Sequence, residues 1–249
     1  MARVLLPDPF RWEDGHVRAE LPGGSVLFST RRGGVSEGPF ASLNLGRLTD
    51  DDDAAIDENR ARLAAAVGLP RERFLYGRQV HGATVRRATE PPGPGRPHAA
   101  EDGQATALTD AAALVFVADC LPVLLAAEGA VAALHGGWRG LAAGILSEGV
   151  RAMRELGAEG PVTAAIGPGA GGCCYEVGEE VHAAFGGYDA RVGERNLDLR
   201  RIARVQLEAD DVTVHDTGLC TLCGDPELFF SHRRDGGVTG RQAGVAWRA

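Results

Sequence analysis

The sequence predicts an α/β or α+β fold built on a mixed sheet. Three observations point there. Short apolar runs rich in Val and Leu lie at Ala112 to Ala118, Pro122 to Ala126 and Ala130 to Leu134, as in buried strands. Amphipathic faces at helical spacing separate other strand-like runs. The alternation follows no strict βαβ rhythm, which favours a mixed sheet over a parallel one.

In chain order, Val26 to Phe28 reads as an early strand, and Thr30 to Gly46 as a Gly-rich loop. The acidic run Asp50 to Asp53 suits a helix N-terminus. Ile56, Leu63 and Val67 share the face of that helix, and Gly68 stops it. Phe74 to Val80 and Ala83 to Ala88 are expected as strands flanking His81 and Gly82, with Glu90 to Asp102 a Pro/Gly-rich connection. The three apolar runs are expected at the sheet's centre. Leu141, Ile145, Val150, Met153 and Leu156 then trace one helical face ending at Gly157, before a strand at Val162 to Ile166. Val177, Val181 and Phe185 suggest a further helix, and Asp198 caps another carrying Leu199, Ile202 and Val205. Val212 to Val214 is expected as the last strand.

Composition narrows the function. The 249 residues suit a single domain over 1–249, and 44% hydrophobic with 24% charged residues describes an ordinary globular chain. No apolar run reaches membrane-spanning length, so no membrane partner is expected. All 26 basic residues are Arg, which excludes Schiff-base lysines, a pyridoxal-phosphate lysine and a Walker A loop. A net charge of −8 argues against nucleic acid. Met1 to Phe10 lacks the basic start and apolar stretch of a secretory signal, which reads as cytoplasmic. Five Cys, an odd number with Cys173 and Cys174 adjacent, read as reduced thiols.

Three short motifs are better read as structural. Gly34 to Gly38 matches G-x-S-x-G, but Pro39 and Phe40 follow with no helical pattern, so a turn is favoured over a nucleophilic Ser36. Gly167 to Gly172 matches G-x-G-x-x-G, yet Pro168 removes an amide donor and no paired βαβ half is evident. Cys220 and Cys223 have C-x-x-C spacing, with His215 and His232 available to complete a zinc knuckle; buried free thiols are the plainer alternative.

The chemistry-bearing segments are Gln79 to Gly82, Ala118 to Pro122 and Leu134 to Gly140, each placing one metal-ligand type where a loop meets a strand: His81, Cys120 and His135. Two His and one Cys are a known catalytic zinc set with a fourth position left for water or substrate, and Asp119 is a candidate to orient a His. The same residues also read as a Cys–His thiol hydrolase, and spacing does not separate the two. Arg31 with Arg32, Arg139, and Arg233 with Arg234 are candidate anion forks.

At these residues the sequence resembles the YfiH family, also called laccase-domain proteins. The matching pieces are Thr30 to Ser36, Ser42 to Gly46, the His81, Cys120 and His135 motifs, Gly172 to Gly178, and Phe229 to Asp235, together spanning nearly the whole chain. The resemblance implies a layered α-β-β-α sandwich in which His81, Cys120 and His135 are zinc ligands and catalytic residues. It further implies zinc-dependent phosphorolysis of adenosine, inosine, guanosine or methylthioadenosine, with adenosine deamination as a side activity. Small purine nucleosides and phosphate are then the partners, and a monomer or weak homodimer is expected. Arg31, Arg139 and Arg233 are the candidates for phosphate and Asn44 for base or sugar, with Asp119, Glu176 and His232 as candidate general acids. A Cys- or zinc-dependent amide hydrolase, as in peptidoglycan-editing relatives, is the alternative. A laccase is disfavoured, because seven scattered His with no His-x-His pair do not supply its copper cluster.

Overall fold

The computed structural model describes residues 5–91 and 99–248. Parts of two expectations, the Met1 to Phe10 reading and the Glu90 to Asp102 connection, lie outside the described residues.

The chain begins with strands β1 (Arg11–Glu13), β2 (His16–Leu21) and β3 (Gly24–Phe28), then helix α1 (Asp53–Val67). Strands β4 (Phe74–Leu75), β5 (Val85–Ala88), β6 (Gly103–Thr106), β7 (Ala112–Val117), β8 (Leu121–Glu128) and β9 (Ala130–Gly136) follow. Helices α2 (Trp138–Ala142) and α3 (Ile145–Glu155) lead to β10 (Glu159–Ile166) and α4 (Glu179–Ala184). The remaining elements are β11 (Arg191–Val192), β12 (Asn196–Leu197), α5 (Leu199–Ala209), β13 (Thr213–Asp216) and β14 (Gln242–Trp247).

Two six-stranded mixed sheets form, with orders β1-β2-β3-β14-β7-β4 and β13-β10-β8-β9-β6-β5, besides the small β11-β12 pair. Their facing sides share one core, with Phe28, Val115 and Ala246 from the first sheet against Leu124, Ala133 and Ala165 from the second. Leu63 and Val67 of α1 cover the outer face of the first sheet at Leu114 and Val245. Leu146 and Met153 of α3, with Ile202 and Leu207 of α5, cover the second at Leu134 and Ile166. The result is the α-β-β-α layering that the family resemblance implies. Side chains such as Leu121, Leu124 and Leu125 are fully buried, each contributing about 1.5–3 kcal/mol of transfer free energy.

Several local expectations hold because local chemistry sets them. The side chain of Asp52 accepts a hydrogen bond from Ala55 N at the start of α1, and Asp198 accepts from Arg200 N and Arg201 N at the start of α5. Other expectations need correction. The expected single helical face from Leu141 to Leu156 is two helices, because Gly144 takes a left-handed φ of 83° that breaks the run. Phe74 to Val80 is a strand only over Phe74–Leu75. Beyond it, the side chain of Gln79 replaces backbone pairing, donating from Nε2 to Phe116 O and accepting from Phe116 N, both at 2.8 Å. Val212 to Val214 is not the last strand: β14 follows and pairs with both β3 and β7. The three apolar runs do not share one sheet centre, since β7 lies in the first sheet and β8 and β9 in the second.

Candidate metal centre

The chain crosses from the first sheet to the second in the short turn between β7 and β8, and that turn carries Cys120. Antiparallel pairing of β8 with β9 sets Pro122 opposite His135, which brings the end of β9 beside the same turn. The segment tethered to β7 by Gln79 delivers His81. One ligand atom from each of His81, Cys120 and His135 lies within 4.8 Å of the others, although the three are far apart in sequence. The two imidazoles meet edge to face with centroids 4.8 Å apart. His81 is exposed, Cys120 half-buried and His135 buried, so the group opens to solvent on the His81 side.

Two non-glycine residues near this group sit at positive φ, His81 at 62° and Asp119 at 94°. This conformation costs free energy and persists only where surrounding bonds fix it. Asp102 fixes the first. Its carboxylate accepts from the backbone N–H groups of Val80, His81 and Gly82 at 2.7–3.1 Å. It also meets His135 Nδ1 at 2.8 Å, while its carbonyl accepts from His135 N at 2.8 Å. With Nδ1 occupied, Nε2 is the nitrogen that His135 has left for a ligand. Asp119 is fixed by its own carboxylate, which accepts from Thr221 Oγ1 at 2.7 Å and from Arg233 N at 2.8 Å.

Electrostatics agree with the geometry. Burial alone raises the Cys120 thiol, but His135 and His81 outweigh it and bring the pKa down to about 6. Burial likewise lowers His135, but Cys120 and Asp102 push it up to about 9. Asp102 is itself held below the usual carboxylate range: burial opposes this, and the His135 ring and the Gly82 and Val80 amides prevail. Without a metal the centre is therefore a thiolate–imidazolium pair buttressed by a carboxylate.

Whether the pocket suits a metal is answered at Gly137. A Cβ there would stand 2.9 Å from His81 Cδ2 and 3.3 Å from Cys120 Sγ, so only glycine lets the backbone pass this close to the donors. Two imidazole nitrogens and one thiolate, with a carboxylate behind one ring, suit a borderline transition ion with an open position.

The other sequence candidates divide. Asn44 is fully buried and saturated: Nδ2 donates to Thr49 Oγ1 and Asp51 Oδ2, and Oδ1 accepts from Gly46 N and Arg241 N. Arg31 donates to the carbonyls of Ala41 and Pro226 and lies 4.6 Å over the Phe230 ring. Arg233 is exposed, lies 4.5 Å over Tyr175 and donates to the Glu176 carbonyl. Arg139, also exposed, lies 4.3 Å over Trp138, with no ion-pair partner among the described residues. Glu176 pairs with Arg195 at 3.0 Å on the surface, and His232 is exposed. Ser36 is buried and bonded to Asp51 and Asn59, as a structural turn requires. The zinc-knuckle reading needs a correction: Cys220 and Cys223 meet Cys173 and Cys174, and neither His215 nor His232 joins them.

Sequence reasoning missed Asp102 and gave its orienting role to Asp119. It also missed Arg241, whose charge is felt by Asp119 and Cys120. A separate hollow of about 240 Å³, lined by Arg60, Phe74, Tyr76 and Phe116 among others, includes none of the three candidate donors His81, Cys120 and His135.

The profile of the family described as multi-copper polyphenol oxidoreductase laccase matches residues 25–249. The chain belongs to this laccase-like YfiH family. A crystal structure of the YfiH protein of Bacillus licheniformis superposes with a TM-score of 0.90 at 28% identity, covering 98% of this chain and all of that one. That of YlmD from Geobacillus stearothermophilus gives 0.86 at 35% identity, over 97% and 99% of the two chains. A purine nucleoside phosphorylase of Corynebacterium glutamicum is 40% identical over 231 residues, 89% of this chain and 93% of that protein. The family model thus carries an oxidoreductase name and a relative a phosphorylase name, and the residues of the centre must decide between the chemistries.

Proposed function

We propose that the chain is a zinc-dependent purine nucleoside phosphorylase acting at His81, Cys120 and His135. The observation that carries the reading is the convergence of these three donors, backed by Asp102, in a chain 40% identical to a protein named for that activity. The reaction transfers a ribosyl group from a purine nucleoside to phosphate, giving free base and ribose 1-phosphate. Adenosine, inosine, guanosine and methylthioadenosine are the substrates we assign, with adenosine deamination as a side activity.

A zinc ion held by the three residues supplies Lewis-acid stabilisation of negative charge at its remaining position. The chain's own groups do the rest. Asp102 keeps His135 in the tautomer that leaves Nε2 as donor. Arg139 sits two residues beyond Gly137 with its guanidinium edge uncommitted among the described residues, and we assign it to phosphate. Arg233, aligned on Tyr175, is the second phosphate candidate. Asn44 supports the reading indirectly, since its Oδ1 accepts from the backbone of Arg241, whose charge is felt by Cys120, while Arg31 ties its own loop to the carbonyls of Ala41 and Pro226.

A metal-free alternative has one observation in its favour. Cys120, His135 and Asp102 form a Cys–His–Asp series suited to an amide hydrolase. Incubation with adenosine, with and without phosphate, separates the readings. Phosphate-dependent adenine release that is lost in His81→Ala and after zinc removal is expected. Inosine formation reports deamination. No turnover of any purine nucleoside by zinc-loaded protein would overturn the proposal in favour of the hydrolase.

A further inference from the structure

Four of the five cysteines stand apart from the centre described above, in a second group formed by Cys173, Cys174, Cys220 and Cys223. Two separate turns supply them. The first follows β10, and the second lies between β13 and β14. Backbone bonds hold the turns in register: Gly169 N donates to Leu219 O and Thr221 N donates to Gly169 O, a one-residue parallel bridge between Gly169 and Cys220.

The four sulfurs all lie within 4.8 Å of one another. Separations are 3.5 Å for Cys173 to Cys174, 3.8 Å for Cys173 to Cys220, 3.2 Å for Cys173 to Cys223 and 3.4 Å for Cys174 to Cys220. A zinc ion with bonds of about 2.3 Å to four thiolates spaces them about 3.8 Å apart, so small outward shifts accommodate it. None of these separations is near the roughly 2.05 Å of a disulfide. The backbone is also prepared for a thiolate. Cys220 Sγ accepts from Gly171 N at 3.3 Å and from the amides of Leu222 and Cys223 in its own C-x-x-C turn. A Cβ on Gly171 would stand 3.2 Å from Cys173 Sγ, a tight approach that glycine avoids.

We infer that Cys173, Cys174, Cys220 and Cys223 form a second, structural metal site that binds one zinc ion through four thiolates. Binding through four thiolates releases to solvent whatever protons the thiols still carry and closes the coordination shell, leaving no position for substrate. The site's role is to hold two turns that end in the reactive centre. Thr221 of the C-x-x-C turn bonds the Asp119 carboxylate next to Cys120, and Tyr175, next to Cys174, carries the Arg233 guanidinium. The inference does not rest on the nucleoside reading, since it concerns metal content alone.

The test uses full-length protein purified with zinc and reductant. Cys120→Ala removes the one thiolate of the His81, Cys120 and His135 group and leaves the quartet intact. This variant is expected to retain one zinc per chain, with Cys173, Cys174, Cys220 and Cys223 protected from alkylation. Adding Cys220→Ser is expected to abolish the retained zinc. Should that double variant fail to fold, cobalt substitution of the Cys120→Ala protein decides, through the intense thiolate-to-cobalt charge-transfer absorption of a four-sulfur site. A Cys120→Ala protein that holds no zinc and gives no such band overturns the inference. So does one whose four cysteines are found paired as disulfides.

Discussion

The Asp102 carboxylate meets His135 Nδ1 at 2.8 Å with both side chains shielded from solvent. The same carboxylate gathers three backbone amides around His81, so one buried side chain orients the ring of one candidate donor and the backbone of another. Replacing Asp102 with Asn keeps the size but removes the charge that favours an Nδ1–H tautomer. Loss of such a partner lowers metal affinity by roughly 10–100-fold. Competitive zinc titration of Asp102→Asn against the parent checks this, and unchanged affinity would refute the role.

Gly137 tests the same centre by shape. Its φ of −74° and ψ of 157° are open to alanine, so a Gly137→Ala change acts through its Cβ on His81 and Cys120 and not through backbone strain. Metal affinity is expected to fall sharply while the melting temperature of the metal-free protein stays within a few degrees. A Gly137→Ala protein that binds zinc like the parent would show that the backbone yields there.

Cys120 is expected to report metal occupancy. In zinc-loaded protein it is expected to resist iodoacetamide, and after chelation to react. The reacting species is the thiolate, and the thiol pKa is near 6, so reactivity of stripped protein rises through about pH 6 and is high by pH 7, whereas an ordinary thiol is still mostly protonated there. Peptide mapping must follow Cys120 specifically, because Cys220 is also lowered to about 6: burial opposes the shift, and the Cys223 and Gly171 amides lead it. A Cys120 rate that climbs only near pH 9 would overturn the thiolate–imidazolium assignment.

His16 predicts acid sensitivity outside the candidate metal centre. Burial, aided by Arg18, lowers its pKa to about 4, and its Nδ1 accepts from Thr30 N at 3.4 Å. The unfolded chain binds a proton near 6.5 that the folded chain refuses until about 4. Stability is therefore full above 6.5 and falls as pH drops toward 4, by about 3 kcal/mol at its largest. Denaturant unfolding across that range is expected to show a shallower decline for His16→Gln than for the parent.

Arg139 and Arg31 separate binding from framing. Arg139→Ala is expected to raise the KM for phosphate about 10–100-fold, the loss of a charge-assisted pair, with little effect on folding. Arg31→Ala leaves the carbonyls of Ala41 and Pro226 without their donor, and is expected to lower the melting temperature. Phosphate kinetics and thermal melts on the two variants decide, and a reversed pattern would exchange the roles.

Much of this was legible in the sequence because the signals were local. The caps at Asp52 and Asp198 and the Val/Leu runs of β7 to β9 act within a few residues, and His81, Cys120 and His135 each sit in a short distinctive motif. Asp102 was not legible. It reaches His135 only because β6 pairs with β9, placing Gly103 opposite Leu134, and no spacing reveals a register. Asp119 looked like the orienting acid because it adjoins Cys120, whereas its oxygens bind Thr221 and Arg233. Strand β14 escaped because Gln-Ala-Gly-Val-Ala-Trp has weak alternation, its burial coming from two neighbouring strands. The quartet of cysteines needed two distant turns to meet.

Strand β14 closes the first sheet from the far end of the sequence. Lodged between β3 and β7, it pairs Gly244 with Phe28 and with Val115. A nascent chain on the ribosome therefore carries two unsatisfied sheet edges and an uncovered apolar slot from the completion of β7 at Val117 until β14 is made. Closure over such sequence separation is slow, and open edges are where chains associate wrongly. Yield in the cell should depend on holdase chaperones that cover this slot until Gln242–Trp247 emerge.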